Sequence, residues 1–113
     1  MNKKLVINKN EVAIVGGAGF VGSRLSARFR NGNIFSKKYD IDLTNQLDKS
    51  IYLDVEDVDS LDQLAGVSTI INLAAVHRDD VRPLSRYDDV NVQGAKNVCE
   101  SASKHGINKI IFT

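Results

Sequence analysis

Three glycines set three residues apart, Gly16, Gly19 and Gly22, follow directly on the apolar run Val12 to Val15 and open an amphipathic stretch that ends near Arg30. Few local patterns restrict a fold so tightly. Gly16 permits a tight turn out of a strand, Gly19 lets a ligand come close to the backbone, and Gly22 lets a helix pack closely on a sheet. Free amides at the start of that helix, aided by its dipole, then face phosphate groups. The spacing differs by one residue from the commoner G-x-G-x-x-G, and a loose turn would account for a glycine triplet alone. The setting argues for more. Val12, Ala13, Ile14 and Val15 have the composition of a buried strand, and Val21, Leu25 and Phe29 recur every four residues as the expected apolar face of a helix. That helix should run from about Phe20 to Arg30 and stop at Asn31-Gly32.

The rest of the chain alternates strand and helix signals. The first strand spans about Glu11 to Val15, after a leader of residues 1–10 with little pattern. Within Asn33 to Leu43, Tyr39, Ile41 and Leu43 alternate with Lys38, Asp40 and Asp42, which predicts a second strand in the later part. Ser50 to Leu53 reads as a third strand, and Val58, Leu61 and Leu64 mark a brief helix ending at Gly66. Thr69 to Ala75 is apolar except for Asn72, as expected of a strand covered on both faces. A polar loop over 76–84 holds Pro83, the only proline. Ser85 is then placed to cap a helix whose face is Tyr87, Val90, Gly94, Val98 and Ala102, with Lys104 and His105 in its last turn. Asn108 to Thr113 predicts one more strand. Such alternation implies right-handed crossovers and an α/β fold: a Rossmann-type, doubly wound parallel sheet over residues 11–113.

Composition narrows the function classes. With 113 residues, 42% apolar and 26% charged, the chain has the makeup of one globular domain. A formal net charge of +1 gives no footprint for nucleic acid. Leu5 to Ile7 is too brief for a signal-peptide core or membrane span, so the expected location is the cytoplasm without membrane attachment. The single cysteine, Cys99, has no second cysteine for a disulfide or a metal site and lies beside the apolar helix face, so it is expected in the core. His105, at a helix end, suits a contact with the helix dipole.

In an open parallel sheet, ligands bind beyond the carboxyl ends of the strands. After the second strand this selects Asp42, twenty residues past Gly22, to bond the ribose hydroxyls of an adenosine, with Asp40 as a rival and a turn aspartate as the bland alternative. An acid there disfavours a phosphorylated ribose, so NAD is expected over NADP. After the third strand come Asp54 and Val55, although a helix cap explains Asp54 as well. After the fourth come Leu73, Ala74, Ala75, Val76 and His77, where small side chains would let the chain pass close to a flat ring. His77 is a pocket candidate or a solvated loop histidine.

The ordered set Gly-Gly-Ala-Gly-Phe-Val-Gly, Asp42, Asp54-Val55, Asn72-Leu73-Ala74-Ala75, Asn91-Val92-Gln93-Gly94 and Lys109-Ile110-Ile111-Phe112-Thr113 resembles the extended short-chain dehydrogenase/reductase family over about residues 11 to 113. More narrowly it is similar to the NAD-dependent nucleotide-sugar epimerases and dehydratases of that family. The resemblance implies that Phe20 and Val21 meet the pyrophosphate through backbone amides and that Asp42 holds the adenine ribose. It implies that Asp54 and Val55 touch the adenine edge, and that Leu73, Ala74, Ala75 and His77 line the nicotinamide side. Asn91 would brace the loop after the fourth strand, and Val90 sits where relatives often touch the cofactor.

The family's catalytic Ser or Thr and its Tyr-x-x-x-Lys pair follow the strand that here ends at Phe112. Neither Tyr39 nor Tyr87 has a Lys four residues on. The resemblance therefore implies a cofactor-binding portion, truncated after about the fifth strand, without the substrate domain and inactive alone. It also implies a nucleotide-sugar substrate in the full-length enzyme and the option of a homodimer through the 86–104 helix. A stand-alone, non-catalytic NAD-binding or regulatory module is the alternative.

Overall fold

The computed structural model describes residues 11–44, 49–74 and 89–113. The expected leader 1–10, the polar loop with Pro83, the Ser85 cap and Tyr87 lie outside the described residues. In chain order the elements are β1 (Val12–Val15), α1 (Phe20–Asn31), β2 (Ser36–Asp40), β3 (Ile51–Tyr52), a 3-10 helix (Val58–Leu64), β4 (Thr69–Asn72), a π turn (Asp89–Gln93), α2 (Gly94–Lys104) and β5 (Ile110–Phe112). All strand pairs are parallel, in the order β3-β2-β1-β4-β5. The chain steps outward from β1 to β3, then returns to lay β4 on the other side of β1. Strand order thus reverses at β1, which leaves a crevice beyond the carboxyl ends of β1 and β4.

Register explains why the central strands read as unbroken apolar runs. Val15 pairs with Tyr39 on one side and Asn72 on the other, while Ile14 pairs with Lys38 and Ile71. Neighbours in register share a face, so alternate rows point to opposite sides of the sheet. Ala13, Val15, Tyr39 and Ile70 join Leu53, Val55, Leu61, Leu64, Val98, Ala102 and Ile107 in one continuous core beneath the 3-10 helix and α2. Both faces of β1 and β4 are covered, as the apolar runs required.

Several expectations are corrected by this packing. The buried residues of α1 are Gly22 and Ser26, while Val21 is 58% exposed and Leu25 and Phe29 are only half-buried. The helix lies so close to the glycine turn that only small side chains fit between them, and the larger ones are displaced to its flanks. Alternation past Tyr39 does not continue the strand: β2 ends at Asp40, and Ile41 and Leu43 are exposed because the adjoining β3 offers only two residues to pair with. The brief helix after β3 is a 3-10 helix with Val58 exposed. Cys99 is exposed as well, since the buried stripe of α2 is Gly94, Asn97, Val98, Ser101 and Ala102, and position 99 lies about 100° round from Val98.

Helix ends are tied as the composition suggested, with more specific partners. The Gly32 amide donates to the carbonyls of Arg28 and Phe29, which closes α1. His105 caps α2 through its amide, bonded to the Ser101 carbonyl, and its Nε2 lies 3.1 Å from Asp62 Oδ1. Lys104 Nζ donates to the same oxygen at 3.1 Å, and these bonds, with Lys104 the larger influence, hold the Asp62 carboxyl below its ordinary pKa. At the far edge Ile110 packs on the core, but Ile111 and Phe112 are about half exposed.

Tyr39 offers a direct test of the core. Burial, and secondarily the charge of Glu11, push its phenol from 10.0 up to about 12. A raised folded-state value means that stability is fully present below the unfolded value and is lost as pH rises toward the folded one. Urea midpoints followed upward in pH should therefore fall between about 10 and about 12 in the wild type, and Tyr39→Phe should remove part of that fall.

Candidate functional site

The turn after β1 is fixed by contacts that leave little freedom in sequence. Gly16 has φ +81°, and a Cβ there would stand 2.8 Å from the Ala74 nitrogen, so the end of β4 and the turn meet backbone to backbone. A Cβ on Gly22 would lie 2.5 Å from Gly17 Cα, which is why α1 can start only where position 22 lacks a side chain. The amides of Gly16 and Gly17 both donate to the Tyr39 carbonyl, at 2.7 and 3.1 Å, and tie the turn to β2.

Gly19 differs in kind. Among the described residues the nearest atom to a Cβ there is the Gly16 carbonyl oxygen at 3.8 Å, so none of them forbids a side chain. It is the N-cap of α1 yet supplies no capping side chain, and the first turn of α1 holds no acidic residue. Among the described residues the opening amides of α1 therefore have no side-chain cap and no acidic neighbour in the first turn, and they lie at the positive end of the helix dipole. Such an arrangement fits an anion that needs close approach to the backbone. Phe20 and Val21, the next two residues, leave their side chains largely exposed, and the Arg24 guanidinium lies 4.3 Å over the Phe20 ring.

Two aspartates flank this loop on the β2 side, and their geometry differs. Asp40 is the last residue of β2; its Oδ2 accepts from the Ala18 amide at 2.9 Å and its Oδ1 from the Asp42 amide at 2.9 Å. The carboxylate of Asp42 accepts instead from the amide and hydroxyl of Thr44, at 3.0 and 2.7 Å, and is exposed. Those bonds, the hydroxyl first, hold its pKa below the ordinary value. Asp40 thus touches the glycine loop, whereas Asp42 is turned into its own loop.

The remaining candidates gather around the same strand ends. Past β3, the Leu53 amide donates to the Asp40 carbonyl at 3.1 Å, which sets the next residues beside Asp40. Asp54 Oδ1 accepts from the Glu56 amide at 2.9 Å, and Val55 is buried. The 3-10 helix is capped by Asp57, whose side chain accepts from the Asp59 amide, so Asp54 is not its cap. Past β4, the Leu73 amide donates to the Val15 carbonyl and the Ala74 amide to Asn72 Oδ1, with both residues half-buried against Gly16. Ala75, His77 and the side chain of Val90 lie outside the described residues.

Two contributors were not singled out from the sequence. Ser60 Oγ donates to the carbonyls of Asp54 and Asp57 and accepts from the Asp54 amide, closing the turn after β3. Asn97 Nδ2 donates to the Val55 carbonyl at 2.9 Å. Asn97 lies next to the face read from the sequence, and nothing in that pattern marks it.

Among the described residues no helix is long and apolar enough to cross a membrane. A sequence model of the 3-beta hydroxysteroid dehydrogenase/isomerase family matches residues 13–113. Over 107 residues the chain is 44% identical to the N-acetyl-alpha-D-glucosaminyl-diphospho-ditrans,octacis-undecaprenol 4-epimerase of Escherichia coli O157:H7, covering 92% of this chain and 32% of that protein. The fold superimposes with a TM-score of 0.81 on UDP-glucose 4-epimerase from Brucella ovis in complex with NAD, at 23% identity, over 91% of this chain and 35% of that one. A short-chain dehydrogenase/reductase superfamily protein from Agrobacterium tumefaciens with bound NAD gives a TM-score of 0.78 at 25% identity, over 90% of this chain and 31% of that one. The chain spans about a third of the length of these proteins. Its glycine turn, its parallel sheet and the matched sequence together show that it belongs to the 3-beta hydroxysteroid dehydrogenase/isomerase family, one of the extended short-chain dehydrogenases/reductases.

Proposed function

We propose that residues 11–113 form the NAD-binding portion of an epimerase or dehydratase that acts on a sugar carried on a diphosphate. The observation that carries this reading is Gly19: none of the described residues requires a glycine there, but a diphosphate seated on the opening amides of α1 does. The named 4-epimerase relative and the fold shared with a UDP-glucose 4-epimerase support the substrate class. When bound, NAD supplies a hydride acceptor that takes a hydride from a sugar carbon and later returns it.

The residues present divide the work of holding that group. The amides at Gly19, Phe20 and Val21 face the diphosphate. Asp40 takes the adenosine ribose in preference to Asp42, because its carboxylate already touches the loop that holds the neighbouring phosphates. Each Asp40 oxygen accepts one amide hydrogen and keeps capacity for a hydroxyl. The same negative charge disfavours a ribose phosphate, which supports NAD over NADP. Asp54 and Val55 border the adenine, and Leu73 and Ala74 the approach to the nicotinamide, with Ala75, His77 and Val90 assigned there by resemblance alone. The sequence holds no Tyr-x-x-x-Lys pair, and the roles proposed for these residues are confined to holding NAD.

Two outcomes test the reading. NAD at a hundred times its dissociation constant should stabilise the purified chain by about 2.7 kcal/mol, seen as a rise in Tm of roughly 10 °C; an unchanged Tm at millimolar NAD would refute it. In titration calorimetry, Asp40→Asn should weaken NAD about tenfold and Asp42→Asn less than about twofold. The reverse order would return the ribose to Asp42.

A further inference from the structure

Among the cavities, charged clusters and buried polar groups of the described residues, the polar relay through Asn97 has a bond given above but no role yet. Asn97 is buried in α2, and its Nδ2 donates to the Val55 carbonyl, 42 residues away in sequence, at 2.9 Å. Its other terminus is spoken for: Gln93 Nε2, at the end of the π turn, donates to Asn97 Oδ1 at 3.1 Å. An amide has one accepting and one donating end, so the bond from Gln93 sets which end Asn97 presents to the loop. The carbonyl it meets belongs to a residue that is itself buried, where an unmatched acceptor is costly.

The loop reached by this relay is held at three points. Its start is bonded to the end of β2 by the Leu53 amide on the Asp40 carbonyl. Its turn is closed by Ser60 on the carbonyls of Asp54 and Asp57. Between them the Asn97 amide reaches Val55 from a different layer of the fold, whereas Ser60 belongs to the 3-10 helix that the loop itself leads into. Without it the Val55 carbonyl would lose this partner while the anchors at Leu53 and Ser60 stayed in place.

We propose that Asn97 is a positioning residue for the adenine end of the dinucleotide, acting through the Val55 carbonyl and oriented by Gln93. This rests on the reading that Asp54 and Val55 border the adenine. The role is confined to the base: the glycine loop, which holds the phosphates, has no bond to the relay among those described here. Adenine recognition and phosphate binding should therefore separate on substitution.

The test is titration of the purified chain with two probes, ADP and inorganic pyrophosphate. Asn97→Ala should raise the dissociation constant of ADP about tenfold and leave that of pyrophosphate within about twofold. Asn97→Asp, which keeps the shape and loses the donor, should behave as the alanine variant does. Gln93→Leu changes an exposed side chain and keeps the fold, and it should weaken ADP about threefold. Hydrogen exchange at the Glu56 and Asp57 amides should quicken in all three variants. Equal weakening of both probes, wild-type ADP binding in Asn97→Asp, or ADP binding unaffected by Gln93→Leu would each overturn the proposal. If the wild type binds pyrophosphate and ADP equally well, the adenine border at Asp54 and Val55 fails, and this inference with it.

Discussion

The structure depends on one backbone-to-backbone contact, the approach of α1 to the turn after β1 at Gly22 and Gly17. A single added Cβ at position 22 would fall 2.5 Å from Gly17 Cα, well inside contact distance, so the helix could not start where it does. That approach decides several other features. It brings the buried side of α1 down to Gly22 and Ser26, and it leaves the flanking apolar residues partly in solvent. It also aims the first helical amides past Gly19 into the crevice where strand order reverses. Fold and site are here the same contact seen from two sides.

Charge placement follows from the same geometry. The positive helix end carries no acid, whereas the carboxylate of Asp40, at the end of the neighbouring strand, is engaged by the Ala18 amide. On the function proposed above, a diphosphate would take the donors and a ribose diol the acceptor. The bonds from the Gly16 and Gly17 amides to the Tyr39 carbonyl hold β1 and β2 in the register that sets donors and acceptor side by side.

Much of this was legible before any coordinates, because the signals were local. The glycine spacing, the four-residue apolar strand before it and the Asn31-Gly32 stop all act within a few residues, and the parallel sheet followed from the alternation of elements. What could not be read depends on the third dimension. The Val21, Leu25, Phe29 periodicity is a valid helical face, but close packing selected a neighbouring face of smaller residues. The alternation through Ile41 and Leu43 is a valid strand pattern, but a strand needs a partner, and β3 pairs with β2 at only two positions. Counting residues from the glycines does not tell which of Asp40 and Asp42 touches the glycine loop, since that depends on where β2 ends. Asn97 and Ser60 act on backbone carbonyls, which sequence patterns do not display.

The claim at the centre is that the opening amides of α1 are a diphosphate seat that the chain keeps clear by placing glycine at position 19. Backbone amide resonances followed during addition of ADP test it most directly. The account predicts the largest shifts at Gly17, Ala18, Gly19, Phe20 and Val21, saturating together. Shifts that spare these five amides while ADP binds elsewhere would contradict it.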